Sequence, residues 1–169
     1  MIILESDRLY VRRYELADLD NFHLLNSDPE VMRYIRPVKT FEESREFLNE
    51  NISFYHLHPG LGRWALLNKQ NDRFVGSVSL LPLEYSKDVH IGYALLKPYW
   101  GFGYASEILK AGIQYAFEAL KLSSLTAVTY PENLASQKVL LKNGFGFEKT
   151  FYQDGSENQL YRLSNVDGR

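Results

Sequence analysis

The alternation of apolar and polar positions changes character several times along this chain, and each change predicts an element. In RLYVRRYE, Leu9, Val11 and Arg13 alternate with Tyr10, Arg12 and Tyr14, which predicts a first strand. From Asp18 the period lengthens: Leu19, Phe22 and Leu25 recur at helical steps, Val31 follows, and Pro29 breaks off a second short helix. Thr40 followed by Glu43 has the form of a capping box. Phe41, Phe47, Leu48, Ile52 and Tyr55 carry that helix to a stop at His58-Pro59-Gly60.

Three strands are expected next, in RWALLN, RFVGSVSLLPL and DVHIGYALL, because these runs are rich in β-formers and separated by Asn71-Asp72 and Ser86-Lys87-Asp88. After a glycine-rich turn, Ile108, Leu109, Ile113, Tyr115, Ala116 and Leu120 give YASEILKAGIQYAFEAL a broad apolar helical face. LSSLTAVTY reads as a buried strand. NLASQKVLLKNGF reads as a compact helix with Asn133 at its cap and Gly144 beyond its last turn. FEKTFYQ and NQLYRLS flank Asp154-Gly155-Ser156-Glu157, a hairpin signal. The order predicts a mixed α/β (α+β) fold on one predominantly antiparallel sheet. With no linker, repeat or charge block, residues 1–169 read as a single domain, continuous to about Ser164 and ending in a frayed tail.

Composition narrows the chemistry. The chain is 45% hydrophobic and 24% charged, enough for a core and against extensive disorder. Nineteen Lys and Arg stand against 21 Asp and Glu, so no overall positive field exists to hold a nucleic acid. The absence of Cys excludes disulfides, thiolate metal sites and a cysteine nucleophile. The start MIILESDRLYVRR lacks the form of a secretory leader, and the uncharged runs 74–83 and 122–131 fall far short of the ~20 residues of a membrane span. The expectation is a cytoplasmic protein that binds neither membrane nor nucleic acid. Twelve Tyr suit packing and a substrate cleft. His56 and His58, without an acidic partner nearby, read as exposed loop residues, and no metal is expected.

Candidate chemistry lies in two segments. Trp100-Gly101-Phe102-Gly103-Tyr104-Ala105-Ser106 joins an expected strand to an expected helix, where unpaired N–H groups and the positive helix end favour a phosphate. A dinucleotide fingerprint fails, because position 106 is Ser and Thr126-Ala-Val-Thr-Tyr130 lacks an acid. A P-loop fails for want of Lys followed by Ser or Thr. An anion cradle and a plain sharp turn remain. Asn133 and Ser136 open the later helix together, either as a ligand contact or as an ordinary N-cap.

Together, in this order, LxxxYWGFGYASE and YPENLASQKVLLKNGF closely resemble the GNAT superfamily of acetyl-coenzyme A dependent N-acetyltransferases. RLYVRRYELAD, SDPEVMRYI and IGYAL resemble its ribosomal-protein N-acetyltransferase (RimJ/RimL-like) branch, so the likeness spans nearly the whole chain. The resemblance implies a sheet of about seven strands flanked by about four helices. Its central strands, here DVHIGYALL and SLTAVTY, would splay to admit the cofactor. Pantetheine would pair with backbone groups around Leu95 and Leu96, freed by a bulge. The pyrophosphate would sit on the N–H groups of Phe102, Gly103, Tyr104, Ala105 and Ser106, with the Ser106 hydroxyl adding a bond. Asn133 would contact pantetheine, and Lys138 or Lys142 the adenosine phosphate. Trp100 stands where the family pattern has Gln or Arg, as is usual in this branch.

The implied reaction is acetyl transfer to a primary amine by direct attack. An α-amino group, with a pKa of about 7.7–8.0, is already roughly one-tenth neutral at pH 7, so it asks little of a base. His90 is the first candidate base, expected to titrate near neutrality, and Glu84 could relay a proton through water. Many relatives protonate the leaving thiolate with a Tyr where this chain has Leu140; Ser136 is the substitute, or else it anchors the cofactor. The acceptor would be a protein N-terminus, a peptide or a small molecule such as an antibiotic or polyamine. A non-catalytic acyl-coenzyme A sensor and a nucleotide-binding module are the rival readings. The chain would act as a monomer or homodimer.

Overall fold

A computed structural model describes residues 1–84 and 86–166. Eight strands form one sheet in the order β1-β2-β3-β4-β5-β6-β8-β7. They are β1 (Ile2–Glu5), β2 (Leu9–Arg13), β3 (Gly62–Asn68), β4 (Phe74–Pro82), β5 (Val89–Leu95), β6 (Ser124–Thr129), β7 (Gly146–Gln153) and β8 (Ser156–Ser164). Among the described residues only the β5–β6 pair is parallel. Five α-helices flank the sheet: α1 (Leu19–Ser27), α2 (Pro29–Met32), α3 (Phe41–Leu57), α4 (Tyr104–Gln114), which continues as a π-helical turn to Ala119, and α5 (Leu134–Lys142).

The local signals act as their chemistry requires. The Thr40 N–H donates to Glu43 Oε2 at 2.7 Å while the Glu43 N–H donates to Thr40 Oγ1, closing the capping box of α3. Asp28 caps α2, and Pro29 occupies its first turn. Asp154 and Gly155 both have positive φ, at 51° and 75°, as a two-residue hairpin turn demands. Strand β1 is the addition to the expected set; Leu4 and Glu5 pair with Val11 and Tyr10. The fold is expected to run to about Ser164, and the Asn165 N–H donates to Ser123 O at 2.9 Å. Residues 167–169 lie outside the described residues.

Alternation along the strands builds two cores. Leu9, Val11, Trp64, Leu66, Ile91 and Leu95 face α4, where Ile108 and Leu109 are buried. Ala65, Leu67 and Phe74 face the opposite way, against Phe22, Leu25 and Leu48 of α1 and α3. Each fully buried aliphatic or aromatic side chain contributes about 1.5–3 kcal/mol. The site sits where these two faces meet, at the seam between β5 and β6.

Candidate active site

At the turn before α4, Gly101 and Gly103 both lie at φ 80°. Nothing stands within 4 Å of a Cβ placed at Gly101, so glycine is needed there for the backbone angle and not for space. Gly103 caps α4 with no side chain, which leaves the first-turn N–H groups of Tyr104, Ala105 and Ser106 directed out of the helix end. A left-handed turn leading into a bare helix N-terminus is an anion cradle. The Ser106 Oγ accepts from Asn143 Nδ2 at 3.0 Å, so its own O–H remains to donate.

Arg8, from the β1–β2 turn, ties this loop down. Its Nη2 donates to the Phe102 carbonyl at 2.9 Å, its Nε to Glu107 Oε2 at 2.7 Å, and its guanidinium lies 4.4 Å from the Tyr104 ring centre. Ser6 Oγ and the Arg8 N–H both donate to Glu107 Oε1. Burial alone would raise the Glu107 pKa, but these bonds outweigh it and hold the carboxyl below its usual value. Arg8 and Glu107 stand 99 positions apart, and nothing in the sequence pattern links them.

The gap beside β5 follows from its pairing. The Leu96 N–H donates to Val75 O, so even-numbered residues of β5 bond to β4 and the backbone groups of Tyr93 and Leu95 turn toward β6. There β6 has already diverged, for His90 and Thr126 form the one registered pair between the two strands among the described residues. The splay expected of these strands is therefore present. The backbone groups it frees coincide only in part with those expected around Leu95 and Leu96. Leu96 has both spent, its N–H on Val75 and its carbonyl on the Tyr99 N–H; the Leu95 carbonyl accepts from Trp100 Nε1 at 2.7 Å. What faces the gap is the Leu95 N–H together with the N–H and carbonyl of Tyr93.

The bulge is also displaced by one strand. The β4–β5 register runs unbroken from Gly76–Leu95 to Pro82–Val89, and an irregularity falls on β4 instead, where Leu66 and Leu67 of β3 pair with Gly76 and Phe74 and leave Val75 as the extra residue. At Gly76 a Cβ would stand 2.0 Å from Ala94 O, so this crossing is open only to glycine.

Side chains on the α4–α5 face of the gap supply hydroxyls. Tyr93 and Ser136 face each other here: burial pushes the Tyr93 pKa up, and the nearby Ser136 hydroxyl acts against that rise. Asn133 Oδ1 accepts from the Ser136 N–H at 3.2 Å, so this amide oxygen serves as the helix cap while its NH2 remains for a ligand. Leu140 is 2% exposed, a core residue with no route to the gap. Tyr93 escaped the sequence reading although its signal was present: it shares the odd positions of DVHIGYALL with Ile91 and Leu95.

His90 belongs to the other face, with Arg63. Burial and the nearby guanidinium lower its pKa to about 4, in place of the near-neutral titration expected. Glu84 lies on the exposed β4–β5 turn, where its carboxylate accepts from Gln153 Nε2 at 3.1 Å; no contact among the described residues joins it to His90. Lys138 and Lys142 are exposed on α5. No group of His, Asp and Glu able to hold a metal occurs among the described residues. No described helix is long and apolar enough to cross a membrane.

Residues 8–146 match the acetyltransferase (GNAT) domain family. The chain belongs to this family. As a GNAT protein it is an acetyl-coenzyme A dependent N-acetyltransferase, and the bare helix end and the gap beside β5 fit that cosubstrate. The chain is 30% identical over 161 residues to the uncharacterized N-acetyltransferase YoaA of Bacillus subtilis (strain 168), covering 91% of this chain and 90% of that one. The crystal structure of a GNAT-family acetyltransferase from Bacillus anthracis superposes with a TM-score of 0.83 at 27% identity, over 97% and 98% of the two chains. RimL, a ribosomal L7/L12 α-N-protein acetyltransferase solved with coenzyme A, shares the fold at a TM-score of 0.81 and 20% identity, with each chain covered in full.

Proposed function

We propose that the chain acetylates a primary amine, as a protein or peptide α-amine or a small molecule, by direct attack within a ternary complex. In this reading the N–H groups of Tyr104, Ala105 and Ser106, with those of Phe102 and Gly103, hold the pyrophosphate. The Leu95 N–H and the Tyr93 backbone pair with pantetheine as a partial strand, and the Asn133 NH2 bonds to it from above. Acetyl-coenzyme A supplies an activated thioester. The amine nitrogen bonds to the thioester carbon, the C–S bond breaks, the nitrogen loses a proton, and the thiolate takes one. Ser136, whose hydroxyl lies beside that of Tyr93, serves as the donor on the cofactor side of the gap. His90, neutral at pH 7, is placed on the opposite side to accept a hydrogen bond from the incoming amine.

The juxtaposition of the Tyr93 and Ser136 hydroxyls carries this reading over a non-catalytic sensor, because it offers a proton donor at the gap although Leu140 supplies none. The test is thiol release from acetyl-coenzyme A across a panel of amines. Ser136→Ala and Tyr93→Phe should lower kcat by about tenfold or more with little change in the KM for acetyl-coenzyme A. Tight cofactor binding without thiol release on any amine would favour the sensor; a raised cofactor KM at unchanged kcat would make Ser136 an anchor.

A further inference from the structure

On the α1–α3 face of the sheet, three cations gather around one ring, and none of the three forms an ion pair among the described residues. The guanidinium carbons of Arg63 and Arg36 lie 4.8 and 5.1 Å from the Phe47 ring centre, and the Lys39 ammonium lies 4.8 Å from it. Arg36 donates to the neutral Asn26 Oδ1 at 2.9 Å. Among the described residues, the Arg63 guanidinium has neither a hydrogen bond nor an ion pair; its side-chain neighbours Asn51 and Tyr55 bond only to its carbonyl. By contrast, Arg8, Arg12, Arg45, Lys69, Lys97 and Arg162 each meet a carboxylate. Burial and like-charge repulsion lower the Arg36 pKa to about 9, and burial lowers that of Arg63. A ring face is a weak substitute for a counter-ion.

The cluster adjoins the amine's route. Arg63 acts electrostatically on His90, which stands at the last registered pair before the gap opens. Arg36 also lines, with Met32, Arg33, Val38 and Tyr130, an open cavity of about 350 Å³ whose walls contain no acid. Tyr130 follows directly on β6, so the cavity opens beside the mouth of the gap. The arrangement is built for an anion that travels with the acceptor.

We propose that Arg36 and Arg63 bind a carboxylate carried by the acceptor, so that the amine acetylated is that of an amino acid or an acidic peptide and not of a polyamine. This rests on the acetyl-transfer reading above and names its substrate class. Two sources of carboxylate share that chemistry, the α-carboxylate of a free amino acid and an acidic side chain near a peptide N-terminus.

The experiment compares free amino acids, their carboxamides, Asp- and Glu-initiated dipeptide amides, and spermidine as acceptors. The carboxylate-bearing amines should exceed the amino-acid carboxamides in kcat/KM by at least about tenfold, and Arg36→Gln or Arg63→Gln should remove that preference through KM for the acceptor. The KM for acetyl-coenzyme A should stay within about twofold, since neither arginine touches the cofactor gap. Preference for free amino acids identifies the α-carboxylate, and preference for the dipeptide amides identifies the side chain. Equal use of carboxamides, or better use of spermidine, overturns the proposal.

Calorimetry on the coenzyme A-loaded protein with N-acetyl amino acids and their methyl esters reads the anion site without turnover. Tighter binding of the acid, lost in either variant, supports the proposal even if no amine in the panel is acetylated, an outcome that would sink acetyl transfer alone. Equal affinity for acid and ester overturns the anion site whatever the activity. Arg36→Gln, on the open cavity, stands in if Arg63→Gln fails to fold.

Discussion

The imidazole of His90 shows what one side chain's surroundings do to its titration. Its pKa falls from about 6.5 in the unfolded chain to about 4 in the fold, so the native state resists protonation. The associated stability is present in full above pH 6.5 and is lost as pH falls toward 4, amounting to about 3 kcal/mol as an upper bound. Replacing it, as in His90→Gln, should flatten the acid limb of a urea-midpoint series between those pH values; an unchanged limb would mean that His90 is not buried as described. The kcat/KM profile of wild type for an α-amine should rise to a plateau near the amine's own pKa, with no inflection near 6.5. At Gly76 the constraint is steric. Gly76→Ala should lower stability by about 3 kcal/mol, read as a drop in Tm, because its Cβ meets backbone that cannot swing aside. Neither effect can be read from sequence, where His90 has no visible neighbours and Gly76 is one more glycine in a strand.

Among the elements, those with chemical punctuation were legible. Thr40 and Glu43 announced α3, Pro29 announced the break before α2, and the Asp154-Gly155 pair announced the last hairpin. Strand β1 was hidden because four residues are too few to display a period, and its stability comes from pairing with β2. The glycine turn before α4 was legible as a sharp entry into a helix, whereas its brace was not, since Arg8 and Glu107 meet only through the fold. Arg8→Ala should loosen that turn and raise the KM for acetyl-coenzyme A several-fold, roughly 1 kcal/mol in binding, while kcat stays near wild type. An unchanged KM would reduce Arg8 to a surface contact. Strand β5 was legible as DVHIGYALL, yet the identity of its free groups was not. That depends on which residues β4 engages and on the reach of the Trp100 indole, neither of which periodicity encodes.

At the scale of the molecule, the sheet is two ladders meeting at a single parallel pair. Strands β1 to β5 form one continuous set, and β6, β8 and β7 the other. The sequence order foretold the mixed sheet, and the family resemblance its parting, but the point where pairing ceases is fixed by packing on both faces. A bound cofactor would replace the missing partners of β5, so acetyl-coenzyme A at about 100 times its Kd should stabilise the fold by about 2.7 kcal/mol, seen as a rise in Tm. The amides of Tyr93 and Leu95 should be among those whose hydrogen exchange slows most; slowing confined to the α4 turn would leave the gap unoccupied. The one registered pair between the two ladders among the described residues, His90 with Thr126, also has a mechanical meaning. The thioester arm would act as a rivet driven through an open joint, so that each turnover, on releasing coenzyme A, restores slack between the two plates it had fastened.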